Sequence, residues 1–437
     1  MTARATALAA LHSWRSGRAF ADAILQQQLN RSTLSAADRG FATELFYGVL
    51  RNLTLLDLWI AQLRSGSLDR ESRDVLRLGL YQLFLLRTPS HAAVFETVEL
   101  AHRRSRSLIN AVLRNATRRA DELQQVADAE SLAVRRSHPQ FLLERWRAAF
   151  GEEATERLCD WNNQPAQIYA RVHSLTTTAE QFREKHPDAE PVEHAPEFLR
   201  LASVPAADLA AGACYIQDPS TALACRLLDP QPGETVLDAC AAPGGKTSFL
   251  AAMMQNQGQL IACDREPARL RTLQENLERL HVSNAQTVQH DWRSTAPVPD
   301  LQPGTVDRIL VDAPCTNTGV MRRRVDVRWR LQPTDFRRMQ QEQLAIVGAV
   351  LPYLKPGGTL VYSTCSIEPE ENEQVVEHLQ QQFPFLALQE QESVLPFRDA
   401  LDGAFAARLQ RTGEQDQPFV RSVPRTGGSN FPRAVNA

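Results

Sequence analysis

The chain lacks any apolar run long enough to cross a bilayer, which takes about 20 residues. Its N-terminus, MTARATALAALHSWRSG, is interrupted by His12, Ser13 and Arg15 and reads neither as an anchor nor as a leader. A cytoplasmic location is expected. Paired cysteines are missing too: the seven cysteines, at 159, 214, 225, 240, 263, 315 and 365, form no C-x-x-C pair and no His-bracketed cluster. That pattern suggests neither a zinc site nor a disulfide framework, and no metal is expected. Lysine occurs only at 185, 246 and 355, so arginine carries the basic charge. No internal repeat or low-complexity tract is evident. The formal net charge of −3 shows no excess of one sign, and taken alone it argues against a nucleic-acid partner.

The charge is nevertheless uneven. Positions 103 to 119 hold six arginines (103, 104, 106, 114, 118, 119) and no acid, and positions 321 to 338 hold seven arginines against Asp326 and Asp335. Either patch alone reads first as a solvated helix face. The two together keep a polyanionic partner open.

A length of 437 residues exceeds one hydrophobic core, so two or three domains are expected. From 1 to 145 the apolar residues recur at helical spacing, as in Leu8, Leu11 and Trp14, then Phe41, Leu45, Val49, Leu53 and Leu56, then Val75, Leu76, Leu80 and Leu83. Ser35-Ala-Ala-Asp38 resembles a capping box ahead of the second run. An all-α domain is predicted. Over 146–212 the texture changes: QIYARVHSL and EFLRLASV read as strands around the helical TTTAEQFREKH, with Pro165, Pro187 and Pro191 as punctuation, which predicts a small α/β connector, RRM-like in plan. Over 213–412 the strands TVLDAC, QLIACD, AQTVQHD, RILVDAP and TLVYSTC alternate with helical segments such as 265 to 280 and 334 to 354. That alternation predicts an α/β, Rossmann-like domain with a parallel sheet, whose ligands sit at the carboxyl ends of the strands. The Gly/Pro/polar segment 413–437 reads as a poorly ordered tail.

VLDACAAPGGKTSFL places a strand, a Pro243-Gly244-Gly245 turn and a helix in succession, which exposes backbone N–H groups to a negatively charged ligand group. A P-loop needs glycine where Cys240 stands, and the dinucleotide fingerprint G-x-G-x-x-G is absent. A nucleoside ligand without polyphosphate remains. Asp264, about 20 residues beyond the turn and ending QLIACD, is placed to accept the ribose hydroxyls. S-adenosylmethionine fits, with Asp291 reaching the adenine amino group and Lys246 or the loop amides of 240 to 246 meeting the carboxylate. Each aspartate alone also reads as an ordinary strand-end carboxylate.

RILVDAPC and TLVYSTC each deliver a cysteine at the end of an apolar strand. A lone buried cysteine is most often a small core hydrophobe. Two of them, with Asp312 three positions before Cys315, make a coherent chemical set. Carbon 5 of a pyrimidine is a poor nucleophile until a thiolate has added to carbon 6, a carboxyl group at ring nitrogen N3 assists that addition, and a second thiol can serve the later release. Amino-directed methyl transfer is disfavoured, since that motif carries Asn or Asp followed by Pro-Pro and an aromatic, and this chain has DAPC. Spacing alone does not decide which thiol attacks.

The stretches DACAAPGGKT, DAPCTNTGVMRRR and YSTCSIEPEENEQVV resemble the Sun-type family of RNA cytosine-5 methyltransferases, and INAVLRN with the helical N-terminus resembles a NusB-like RNA-binding domain. SHPQFLLERW, NNQPA, YIQDPSTALA and DGAFAARL extend the likeness over roughly residues 3 to 410. The resemblance implies Cys365 as nucleophile, Cys315 as the thiol that assists release, and contacts from 240 to 246, Asp264, Asp291 and Asp312 to S-adenosylmethionine or the base. It implies small-subunit ribosomal RNA as partner, without a membrane or an obligate protein partner. The chain departs from the family pattern at Thr316-Asn317, where Ser-Gly or Ser-Ala is usual, at Val325, where Pro is usual, and in DGAFAARL, which lacks a second aromatic. Transfer RNA is the alternative substrate, and a non-catalytic NusB-like RNA-binding factor is the alternative of another class.

Overall fold

The structure is a computed structural model that describes residues 2–413; the tail beyond lies outside the described residues. The chain divides into two compact units. One holds residues up to Pro165 together with Met321–Arg330, and the other holds Ala166–Val320 and continues from Leu331.

The first unit is built of helices, among them Ala3–Trp14, Ala36–Arg51, Leu53–Leu63, Arg70–Leu80 and Arg106–Arg118. Their apolar stripes meet in one core that buries Leu11, Leu45, Val49, Leu56 and Leu76, with Trp14, Phe41 and Leu83 partly buried at its margin. Ser35 caps the helix Ala36–Arg51, accepting the Asp38 N–H on its hydroxyl. Helices continue past residue 145, in Gln140–Phe150 and Glu152–Asn163, where an α/β connector is predicted from 146. The reason is local: Leu142, Leu143, Trp146, Leu158 and Cys159 keep helical spacing and are all buried, and no proline interrupts until Pro165.

Met321–Arg330 packs into this helical core although the chain has by then passed through most of the other unit. Val325 is fully buried there, and the Trp329 indole donates to the Leu50 carbonyl at 2.8 Å. Asp326 accepts the Ala21 N–H at 3.0 Å, the Trp14 indole at 3.3 Å and Arg330 at 2.7 Å. Arg328 donates to Asn163 Oδ1 at 2.7 Å and to the Asn162 carbonyl at 3.0 Å, and Arg322 lies 3.8 Å over the Trp161 ring. Both arginines are buried. The solvated-face reading of this patch is therefore wrong at Arg322 and Arg328, and it holds at Arg324, Arg337 and Arg338, which are exposed.

The second unit begins with a small antiparallel sheet of β1 (Ile168–Val172), β2 (Glu190–Val192), β3 (Ala195–Leu201) and β4 (Cys214–Ile216), in the order β2-β3-β1-β4. A Thr178/Gln181 capping box starts the helix Ala179–Lys185 beside it. The larger sheet contains β5 (Thr235–Asp238), β6 (Gln259–Asp264), β7 (Ala285–Gln289), β8 (Val306–Asp312), β9 (Leu354–Thr364), β10 (Leu386–Val394) and β11 (Ala404–Arg411), ordered β10-β11-β9-β8-β5-β6-β7. Strands β5 to β9 are parallel, and β11 and β10 close one edge antiparallel. Val236 and Leu237 are both fully buried although they point to opposite faces, because helices cover both sides of the sheet. Strand order reverses between β5 and β8, which opens a crevice at their carboxyl ends.

Candidate active site

Three strand ends meet at this crevice. Beyond β5, Cys240 to Lys246 form the turn into the helix Gly245–Met253. Gly244 has φ +105°, a conformation that L side chains rarely adopt, and a Cβ on it would come within 2.8 Å of Leu273. A Cβ on Gly245 would stand 3.1 Å from the Tyr215 ring. Beyond β8 comes Cys315, and beyond β9 comes Cys365. Because β8 and β9 are parallel neighbours with Asp312 opposite Ser363, the two thiols leave the sheet side by side.

Their Sγ atoms are 3.2 Å apart, and Cys365 Sγ lies 3.3 Å from Asn317 Oδ1. The contact with Cys365, then burial, holds the Cys315 thiol well above its ordinary pKa. Asn317 Nδ2 donates back to the Cys315 carbonyl at 2.9 Å, and Asn317 sits at φ +60°. Where glycine or alanine is usual, asparagine is among the few residues other than glycine that tolerate this left-handed conformation. Val325, the second departure, belongs to the helical core.

Asp312 stands beside the thiols. Its Oδ2 accepts Lys246 Nζ at 2.6 Å and its Oδ1 accepts Ser363 Oγ at 2.9 Å. Burial works against the Lys246 charge, but Asp312 outweighs it and holds the ammonium above its usual range. A cleft opens next to the pair, lined by Cys240, Ala241, Ala242, Pro243, Gly245, Lys246 and Asp312. Gly244 shapes the turn from behind. Asp264 and Asp291 end up further along the edge, outside that lining. Asp264 accepts the Glu266 N–H at 3.0 Å and the Ala242 N–H at 3.3 Å, while Asp291 is paired with Arg293 at 2.5 Å.

The cleft also has walls that sequence reasoning missed. Tyr215, Gln217 and Thr221 enter it from β4 and the turn after it, and Asp238 from the end of β5. Asp238 is 1% exposed; its Oδ2 accepts Thr247 Oγ1 at 2.7 Å, whereas Oδ1 is buried without a full hydrogen bond. Burial pushes its carboxyl up to about 7, against the pull of the Thr247 hydroxyl. The available signal was its place as the last residue of TVLD, at a carboxyl end where every neighbouring strand also presents an acid.

Family models match three stretches: the 16S rRNA methyltransferase RsmB/F model over 225–410, the NusB family over 1–118, and the RsmF/B-like ferredoxin-like domain over 138–207. The ribosomal RNA small subunit methyltransferase B of Serratia proteamaculans is 36% identical over 90% of this chain and 89% of its own. The chain belongs to the RsmB/F methyltransferase family. A probable ribosomal RNA small subunit methyltransferase B of Synechocystis is 33% identical over 94% of this chain and 100% of its own. Among solved structures, NSun6 from Pyrococcus horikoshii with SFG covers 63% of this chain and 99% of its own at 22% identity and a TM-score of 0.57, a likeness of fold. Membership of the RsmB/F family makes this an S-adenosylmethionine-dependent RNA methyltransferase. The cleft suits that cofactor, since the unsatisfied oxygen of Asp238 offers an acceptor to an ammonium group and the aromatic Tyr215 borders the glycine turn.

Proposed function

We propose that the chain methylates carbon 5 of a cytidine in small-subunit ribosomal RNA through a transient covalent bond to the base. The observation that carries this reading is the 3.2 Å contact between Cys315 and Cys365 beside the Lys246–Asp312 pair. The bound cofactor supplies an electrophilic methyl group. Cys365 Sγ adds as thiolate to carbon 6, the C5=C6 double bond opens, and its electrons become available at carbon 5. Lys246 and Asp312, locked together and to Ser363, hold a proton at ring nitrogen N3, where negative charge builds as the thiolate adds. After methylation, a water molecule takes the proton from carbon 5, the C5=C6 bond re-forms from that electron pair, and the bond from carbon 6 to sulfur breaks with Cys365 leaving as thiolate. Cys315, in contact with Cys365, assists this release. Cys240 to Lys246 and Asp238 hold the cofactor, and Asp264 and Asp291 flank its nucleoside end.

The helical unit supplies phosphate contacts. Arg103, Arg104, Arg114 and Arg118 are exposed and have no acidic partner among the described residues, whereas Arg106 pairs with Glu99 and Arg119 with Glu122. A passive RNA-binding scaffold would have no use for two thiols in contact at a strand-end crevice.

Incubation of the purified protein with small-subunit ribosomal RNA and S-adenosylmethionine should yield 5-methylcytidine by nucleoside mass spectrometry. Cys315→Ala should accumulate an RNA–protein adduct that survives denaturation, and Cys365→Ala should form none. Cofactor binding without methyl transfer to any ribosomal RNA would refute the proposal.

A further inference from the structure

Glu371 is a fully buried carboxylate with no part in the chemistry above, yet it lies between the two thiol-bearing loops. Its Oε2 accepts the Thr316 N–H at 2.8 Å and Gln343 Nε2 at 3.0 Å. Its Oε1 accepts Ser366 Oγ at 3.0 Å and the Thr316 hydroxyl. Thr316 is the residue after Cys315, and Ser366 is the residue after Cys365. Gln343 also donates to the Pro314 carbonyl at 3.0 Å, so Cys315 is gripped on both sides. The Glu371 carbonyl accepts the Tyr362 hydroxyl at 2.6 Å, which fixes the group to β9 itself.

Two of its partners are N–H donors, the Thr316 amide and Gln343 Nε2, and two are hydroxyls. Burial raises its proton affinity, and the Thr316, Ser366 and Gln343 donors pull the other way. The loops it joins have left the sheet: beyond Asp312 and Thr364 the strand pairing ends, and the backbone links that remain between them are Ala313 N–H to the Ser363 carbonyl at 2.8 Å and Gly319 N–H to the Cys365 carbonyl at 3.1 Å. Neither link holds the residues that directly follow the thiols, Thr316 and Ser366, and Glu371 joins those two through its side chain.

We propose that Glu371 is the positioning residue for the two thiols, fastening Thr316 and Ser366 to one carboxylate so that Cys315 Sγ and Cys365 Sγ stay in contact. Its kinetic consequence rests on the reaction proposed above; its geometric consequence does not. Thr316, at a position where serine is usual in the family pattern, keeps the hydroxyl this carboxylate needs.

Two readouts test the proposal. In Glu371→Gln, kcat should fall about 100-fold, the consequence of a reacting group displaced by roughly 1 Å. KM for S-adenosylmethionine should be unchanged, since Glu371 does not line the cofactor cleft. Impaired release should leave a denaturation-resistant RNA adduct, absent when Cys365→Ala is added. The second readout needs no RNA. Diamide takes two hydrogens from a pair of thiols, becoming the hydrazine as the disulfide forms, and the Cys315–Cys365 disulfide followed by peptide mass spectrometry should form about tenfold more slowly in Glu371→Ala than in the parent. Should Glu371→Ala lose its cooperative melt, Ser366→Ala replaces it, with a smaller slowing expected because three donors remain. Equal disulfide rates together with kcat within about threefold of the parent would overturn the positioning role. A parent that transfers no methyl group would defeat the proposed reaction, and the diamide comparison would still decide the role of Glu371.

Discussion

In and just before the helix Arg106–Arg118, Arg103, Arg104, Arg114 and Arg118 stand in solvent, whereas in Met321–Arg330 the guanidinium groups of Arg322 and Arg328 are buried, one on an indole and the other on amide and carbonyl oxygens. Both stretches are rich in arginine and both bury apolar residues in the same helical core, Ile109, Val112 and Leu113 from the first and Val325 from the second. What differs is where the arginines fall: those of the helix lie off its buried stripe, whereas Arg322 and Arg328 go inside and must find a ring or acceptors there. Arginine can do this because its planar fork offers several donors at once and is weakly hydrated for a cation. One stretch is thus suited to recruit a polyanion and the other to hold a core together.

Three variants bear on this contrast. The largest effect is expected from Arg328→Ala, which removes a buried cation from Asn163 and from the Asn162 and Ser137 carbonyls. It should cost about 3–5 kcal/mol in urea unfolding followed by the helical signal. A loss under about 1 kcal/mol would show that water replaces the guanidinium at no great cost, and the contrast would fail. Arg322→Ala removes the cation over Trp161 and should cost about 2 kcal/mol, visible as well in a changed tryptophan emission. The smallest stability effect belongs to the exposed pair: Arg114→Ala with Arg118→Ala should leave unfolding within about 0.5 kcal/mol. The same variant should lower the salt dependence of ribosomal RNA binding by about one unit of slope for each lost phosphate contact. An unchanged slope would leave the exposed stretch as a mere solvated face.

The contrast also marks what could be read from the sequence. Strands ending in TVLDAC, RILVDAP and TLVYSTC were legible because both faces of a parallel sheet are covered, which turns each strand into a short apolar run with a polar end. The pairing of Cys315 with Cys365 followed from placing those ends side by side, and the structure puts the two thiols in contact, while Asp312 joins residues of the 240 to 246 turn in a cleft whose lining includes neither thiol. Met321–Arg330 was not legible as core, since arginine runs report charge and carry no sign of which acceptors tertiary contacts will supply. Asp238 and Glu371 were missed for a related reason. Asp238 is one strand-end acid among several, and Glu371 is one of four acids in EPEENE, of which Glu368 is buried too; only the fold shows that Glu371 reaches both Thr316 and Ser366. The continuation of helices to Asn163 was hidden by the strand-like segments that follow Pro165, whose texture spread backwards over the boundary.

The visit of Met321–Arg330 to the helical core has a consequence for how the chain is made. A nascent polypeptide ordinarily completes its leading domain while the rest is still being translated. Here the leading helices emerge first but lack Val325 and Trp329 until four parallel strands of the trailing sheet have already left the exit tunnel. Until then the bundle lacks these side chains, and a fragment cut at residue 165 would never receive them.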